Sequence, residues 1–236
     1  MTKKLFILGV ILSSSLFAAT DAQILAYFKS QIPIPSVKVT IISRLSMKDI
    51  SGMDYVSLQL TDGTRIQKLS VFTKGDLIFP DIIDVHQGSI KEKFDKQKII
   101  KQLSKLYQKE KPEHILVLGN DPQKETQVVF SDPECPFCGK EVDNIEETLK
   151  TKNLRYIFTP VHGKSALEKA VLIYKQTKSA KNLQSKVKIL KKYFNTDTDE
   201  KVSDEEVATI ESTRKKYFAA GLKGVPFIIN EKELLN

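Results

Sequence analysis

"VVFSDPECPFCGKEV", residues 128–142, holds both cysteines of the chain, Cys135 and Cys138, separated by Pro136 and Phe137. Neither has another cysteine to pair with. Metal binding, a structural staple and redox chemistry are the candidate roles, and the flanking residues separate them. The run "QVVF" has strand character and leads into "SDPE". A helical pattern starts at or just after Cys135, with Val142, Ile145 and Leu149 on one face. Pro136 suits a first helical turn, where its missing N–H would be unpaired anyway. Free N–H groups and the positive end of the helix dipole favour an anion, so a thiolate is expected to be stabilised at Cys135. The C-x-x-C spacing puts Cys138 one turn inward, within reach of Cys135 and more buried. Cys135 is then the attacking nucleophile and Cys138 the resolving residue.

The competing roles fit less well. Zinc would need further ligands, and the histidines are His86, His114 and His162, with no ligand spacing to the pair. An inert disulfide rarely closes so small a ring at a helix start. Redox chemistry is therefore expected, with no metal and no cofactor. A second stretch supports it. "KGVPFIIN", residues 223–230, places Pro226 at the start of a strand, where proline is disfavoured. A cis peptide at Val225–Pro226 would account for it; a trans proline opening an edge strand is the alternative.

A chain of 236 residues holds one large domain or two small ones. Hydrophobic content of 41% and charge of 28% supply an ordinary globular core and surface. Lys3 and Lys4, the apolar run 5–12 and the small residues at 13–15, Ala18, Ala19 and Ala22 read as a secretory signal peptide, cleaved between Ala18 and Ala22. Its apolar core is short for a bilayer span; an uncleaved anchor is the alternative. Export leads to an oxidising compartment. The net charge of +8 falls to +6 without Lys3 and Lys4. The remaining lysines are mixed with acids, without a basic stripe interleaved with aromatics. No nucleic-acid partner is expected; the charge serves a solvated surface.

The rest of the chain falls into two patterns. After an amphipathic stretch, "DAQILAYFKS", strand-like runs at 36–43, 54–60 and 65–72 are punctuated by the turn signals "TDGT" and "TKGD". They predict a small antiparallel sheet. Ile99, Ile100, Leu103, Leu106 and Tyr107 then follow helical spacing up to Pro112 and predict a linker helix. Beyond it, "HILVLG", "TQVVFSD", "LRYIFTP" and "VPFIIN" predict strands, with a helical section at about 164–221. That section contains a capping box at Ser203 and Glu206. Alternating strands and helices make the second region α/β.

Residues 109–236 resemble the thioredoxin-fold domain of periplasmic Dsb proteins, with the greatest likeness to the disulfide isomerase DsbC and its relative DsbG. "VVFSDPECPFCGKE" is similar to their active-site strand and helix start, "LRYIFTPVHG" to the next strand, and "GLKGVPFIIN" to their cis-proline loop. The resemblance extends more weakly to residues 20–110. It implies a mixed α+β and α/β architecture: signal peptide at 1–19, dimerisation domain at 20–90, linker helix at 91–112 and thioredoxin-like catalytic domain with a helical insertion at 113–236. It also implies a V-shaped homodimer in the periplasm. The implied activity is disulfide isomerisation or thiol–disulfide exchange through Cys135 and Cys138. Pro136, Phe137, Val225 and Pro226 form the substrate-facing loops. Implied partners are exported proteins with disulfides and a DsbD-like membrane reductase.

The chain departs from that pattern in places. Val225 stands where isomerases of this kind have Thr and DsbA-type oxidases commonly have Val. The Pro-Phe dipeptide is nearer to those of DsbG and DsbA than to that of DsbC. The chain stops at Asn236, where the family adds a further strand and a final helix. Val129 occupies the position of the buried acid of thioredoxin and DsbA, as an apolar residue does in DsbC. A net dithiol oxidase recharged by a DsbB-like partner is therefore the main alternative. A dimeric chaperone or metal-binding module without redox chemistry is another. Asp132 and Glu134 either set the charge around Cys135 or are solvated loop acids. His162 is expected at the surface, and His86 and His114 carry no signal.

Overall fold

The computed structural model describes residues 18–194 and 196–236. Most of the expected signal peptide, residues 1–17, lies outside the described residues. Ala18 and Ala19, the last two residues of that segment, belong to the fold. Ala18 bridges Gly75, and the buried Ala19 donates its N–H to Thr73 Oγ1 at 3.0 Å. The described residues divide into two compact units, one up to residue 95 and one from 96 to 236.

The first unit opens with helix α1 (Asp21–Gln31), held at its start by a reciprocal capping box between Thr20 and Gln23. Strands β1 (Lys38–Ser46), β2 (Met53–Thr61), β3 (Ile66–Lys74) and β4 (Leu77–Phe79) form an antiparallel sheet in that order. The β2–β3 turn has Gly63 at φ 96°, and Asp62 Oδ1 accepts from the N–H groups of Thr64 and Arg65. Only glycine takes that φ readily, and the aspartate replaces the turn's missing backbone partners. Period-two alternation sends β2 side chains to both faces. Val56 and Leu58 join Ile24 of α1 in one core; Tyr55 and Met53 join Phe72 in the other. A short hairpin, β5 (Ile83–Asp84) and β6 (Gly88–Ser89), precedes helix α2 (Ile90–Tyr107). Ile90 and Phe94 of α2 cover the Tyr55 side.

Helix α2 runs on into the second unit. It ends at Tyr107, five residues before Pro112, because its last turns tighten: Lys109 and Glu110 bond back to Leu106 and Tyr107 in i→i−3 fashion. Pro112 instead opens a 3₁₀ turn (Pro112–His114). Strands β7 (Leu116–Leu118), β8 (Glu125–Ser131), β9 (Lys152–Phe158) and β10 (Phe227–Asn230) form a sheet in the order β10-β8-β9-β7. β8 and β9 are parallel; both outer strands are antiparallel to their neighbours. Between β8 and β9 lie α3 (Pro136–Asp143) and α4 (Ile145–Thr151). The helical section between β9 and β10 comprises α5 (Lys164–Lys178), α6 (Leu183–Tyr193) and α7 (Asp204–Ala219). The Ser203–Glu206 capping box opens α7, as the sequence predicts.

β8 is buried on both faces. Val129 packs with α3, α5 and α6 residues, whereas Val128 and Phe130 pack with α2 and α7 residues. Phe130 lies 4.8 Å, ring centroid to centroid, from Tyr217. β10 passes directly into helix α8 (Glu231–Leu235). Leu234 is buried, and its carbonyl accepts from Ser104 Oγ at 2.8 Å and Gln108 Nε2 at 3.0 Å, which fastens α8 to α2.

Gly119 marks a tight approach after β7. It has φ 78°, and a Cβ there would meet Asn153 Oδ1 at 2.8 Å, the oxygen that accepts the Asp121 N–H. Gly119→Ala is expected to cost about 1–3 kcal/mol, read as a lower urea midpoint with unchanged slope.

Candidate functional site

The loop between β8 and α3 determines where both sulfurs point. Cys135 is the N-cap of α3, in extended backbone at φ −81° and ψ 120°, and Pro136 holds the first turn. The Cys135 carbonyl accepts from the Gly139 N–H at 2.9 Å, while its own N–H donates to the Asp132 carbonyl at 3.2 Å. The Cys135 side chain therefore leaves the backbone beside first-turn N–H groups that have no partner inside the helix. Both cysteines are free thiols. Cys135 keeps 5% of its surface and Cys138 none. Burial pushes the Cys138 thiol up to about 12, and the neighbouring Cys135 adds to this. The Ser131 hydroxyl and the Asp132 N–H pull the other way, because each would favour the thiolate over the thiol. Ser131 Oγ is buried without a hydrogen-bond partner, so it is free to turn toward a thiolate.

The late proline loop closes over this corner. The Val225–Pro226 peptide is cis, and the Cys135 thiol donates to the Val225 carbonyl at 3.7 Å. Cys135, Cys138, Val225 and Pro226 thus meet, although 90 residues separate Cys135 from Val225. Pro136 and Phe137 face outward. Phe137 is 67% exposed, with the Lys140 ammonium 5.6 Å from its ring centroid.

Asp132 is not a solvated loop acid. It is fully buried and accepts the N–H groups of Glu134 at 2.8 Å, Val161 at 2.8 Å and His162 at 3.1 Å. His162 Nδ1 lies 2.6 Å from the same carboxylate. His162 is tied to the site loop through that contact, although its side chain is 43% exposed. Glu134 is also committed: its Oε1 lies 2.8 Å from Nζ of Lys169, a lysine whose side chain is only 5% exposed. Sequence reading missed Lys169. The signal was there, since Lys169 lies on the same stripe of α5 as the buried Ala166 and Ile173. His114 lies away from the sulfurs, against the buried Glu110 at 2.9 Å. Among the described residues, no group of three or more His, Cys, Asp or Glu side chains is placed to hold a metal ion.

Unequal burial of the two sulfurs gives a direct test. In the folded Cys135→Ser protein at about pH 8, Cys138 should react with iodoacetamide roughly 100-fold or more slowly than in urea. Equal rates would contradict the burial of Cys138.

No protein-family profile and no curated protein sequence matches the chain. Solved structures do. DsbG of Helicobacter pylori superposes with a TM-score of 0.52 at 23% identity, covering 89% of this chain and 99% of that one. A disulfide interchange protein from Neisseria gonorrhoeae matches 51% of this chain and 81% of its own, at 21% identity and a TM-score of 0.38. BdbD of Bacillus subtilis matches 51% of this chain and 92% of its own, at 18% identity and a TM-score of 0.35. In fold, the chain is similar to Helicobacter pylori DsbG: an N-terminal antiparallel sheet, a helix leading out of it and a thioredoxin-like unit.

Proposed function

We propose that the chain is an exported thiol–disulfide oxidoreductase of the DsbC/DsbG kind, acting on disulfides of other exported proteins. The observation that carries this is Cys135 at the N-cap of α3, against the Val225 carbonyl, with Cys138 buried one turn inward. In the reduced protein, the Cys135 thiolate attacks one sulfur of a substrate disulfide. A new S–S bond joins Cys135 to the substrate, and the other substrate sulfur leaves as a thiolate. Two outcomes follow. The freed substrate thiolate, or another one, attacks the mixed disulfide and regenerates Cys135, which leaves the substrate with a rearranged disulfide and no net electron transfer. Alternatively, Cys138 loses its proton and attacks the Cys135 sulfur. That expels the substrate as a thiolate, and two electrons pass from the Cys135–Cys138 dithiol to the substrate. The Ser131 hydroxyl and Asp132 N–H support the Cys138 thiolate in that second step. Repeated reduction needs a dithiol donor, for which a DsbD-like membrane protein is the proposed partner.

Pro136, Phe137, Val225 and Pro226 are the proposed substrate-facing residues, with the exposed Phe137 ring offering an apolar contact. The N-terminal sheet unit is proposed to pair with a second copy, through the resemblance to dimeric DsbC-like proteins. The proposed location is the periplasm, through the signal-like first residues. Val225 favours a second reading, a net oxidase in which the Cys135–Cys138 disulfide accepts electrons from substrate dithiols and a DsbB-like partner removes them.

Ribonuclease separates the readings. An isomerase restores activity to scrambled ribonuclease faster than it oxidises the reduced enzyme, and an oxidase does the reverse. Cys138→Ser should accumulate a covalent complex with substrate through Cys135. Full activity of Cys135→Ser in both assays would overturn both readings.

A further inference from the structure

Lys169 is a cation with only 5% of its side chain exposed, and it lies on a helix whose other buried residues are aliphatic, Thr177 excepted. Removing an ammonium from water is costly unless a partner compensates. The partner is Glu134, whose Oε1 lies 2.8 Å away and whose side chain is 21% exposed. Glu134 is the residue immediately before Cys135, so their Cα atoms are about 3.8 Å apart. Leu167, Ala170 and Val171, which flank Lys169 on α5, share one buried cluster with Cys135 and Cys138. A complete, largely buried ion pair thus stands one residue from Cys135, against the cluster that holds both cysteines. Its two charges act on a developing thiolate with opposite sign and largely cancel. The other acid of the loop is engaged elsewhere: Asp132 accepts three backbone N–H groups as well as contacting the His162 ring.

We infer that the Glu134–Lys169 ion pair is a charge-balancing element that keeps either of its charges from biasing the redox equilibrium of the Cys135–Cys138 couple. The inference rests on the redox reading above and deepens it. Glu134→Gln keeps the shape of the loop and leaves the Lys169 cation uncompensated. This favours the thiolate, and so the reduced form. Lys169→Met keeps the packing and leaves the Glu134 carboxylate uncompensated, which disfavours the thiolate. A unit charge within about 10 Å at an effective dielectric near 20 changes such an equilibrium roughly tenfold. A purely structural role would destabilise both variants without sending their redox equilibria apart.

The test equilibrates purified wild-type protein, both single variants and the double variant with reduced and oxidised glutathione. The dithiol fraction is read by mass after alkylation, and folding is checked by circular dichroism. Glu134→Gln should show an equilibrium constant for reduction at least about threefold above that of Lys169→Met, with wild type and the double variant between them. A ratio below about threefold, or the reverse order, overturns the inference. If Lys169→Met does not fold, Lys169→Gln, which retains a polar head, takes its place in the same comparison. Wild-type protein that forms no Cys135–Cys138 disulfide in glutathione would instead overturn the redox reading itself, so the two failures are distinguishable.

Discussion

The register of β8 is the constraint on which the site depends. Phe130 pairs with Phe227 on one side and Ile157 on the other, and Ser131 pairs with Phe158. Both faces of the strand are buried, so a slip of one residue would exchange Val129 with Val128 and Phe130 between two differently shaped cores. That penalty fixes where the strand stops. Four residues later the chain turns into α3, and the N-cap falls on Cys135. β10, paired with β8 from Phe227 onward, fixes Pro226 and Val225 at the same corner. The closeness of Cys135 to the Val225 carbonyl is thus a consequence of sheet register, enforced by the packing on both faces of β8.

Charge around the loop follows a consistent plan. Asp132 is fully buried and pinned by three backbone N–H groups and an imidazole, which draws 161–162 against the loop. Glu134 is turned toward Lys169. Both acids that precede Cys135 are therefore compensated, and neither presents a bare carboxylate to the sulfur. The sulfurs themselves differ in environment. Cys135 retains a small open surface at the start of α3, whereas Cys138 is sealed and held as a thiol by burial. An outer sulfur that can be reached and an inner one that reacts only within the protein suit the proposed two-step exchange.

Much of this was legible in the sequence because local signals were strong. Pro136 after Cys135 marked the helix start and the Ser203–Glu206 box opened α7 as expected, whereas Pro226 at a strand start left cis and trans both open until the fold decided for cis. The turn glycine at Gly63 and the alternation of β2 made the N-terminal sheet readable. Features set by tertiary contacts were less accessible. The end of α2 at Tyr107 was misplaced because a tightened last turn, and not Pro112, terminates it. Asp132 has the sequence appearance of a loop acid, and only the folding of 161–162 back onto it shows its burial. Lys169 was hidden by its residue type: its place on the stripe of α5 argued for the core, but lysine is rarely assigned there without a known partner.

The central claim is that Cys135 and Cys138 act as one couple, with the outer sulfur reachable and the inner one its only protein partner. Peptide mapping by mass spectrometry after exposure of the folded, reduced protein to oxidised glutathione tests it most directly. The account predicts loss of two hydrogens, a Cys135–Cys138 cross-link and no retained glutathione. A stable glutathione adduct on Cys135 with Cys138 still a free thiol would contradict it.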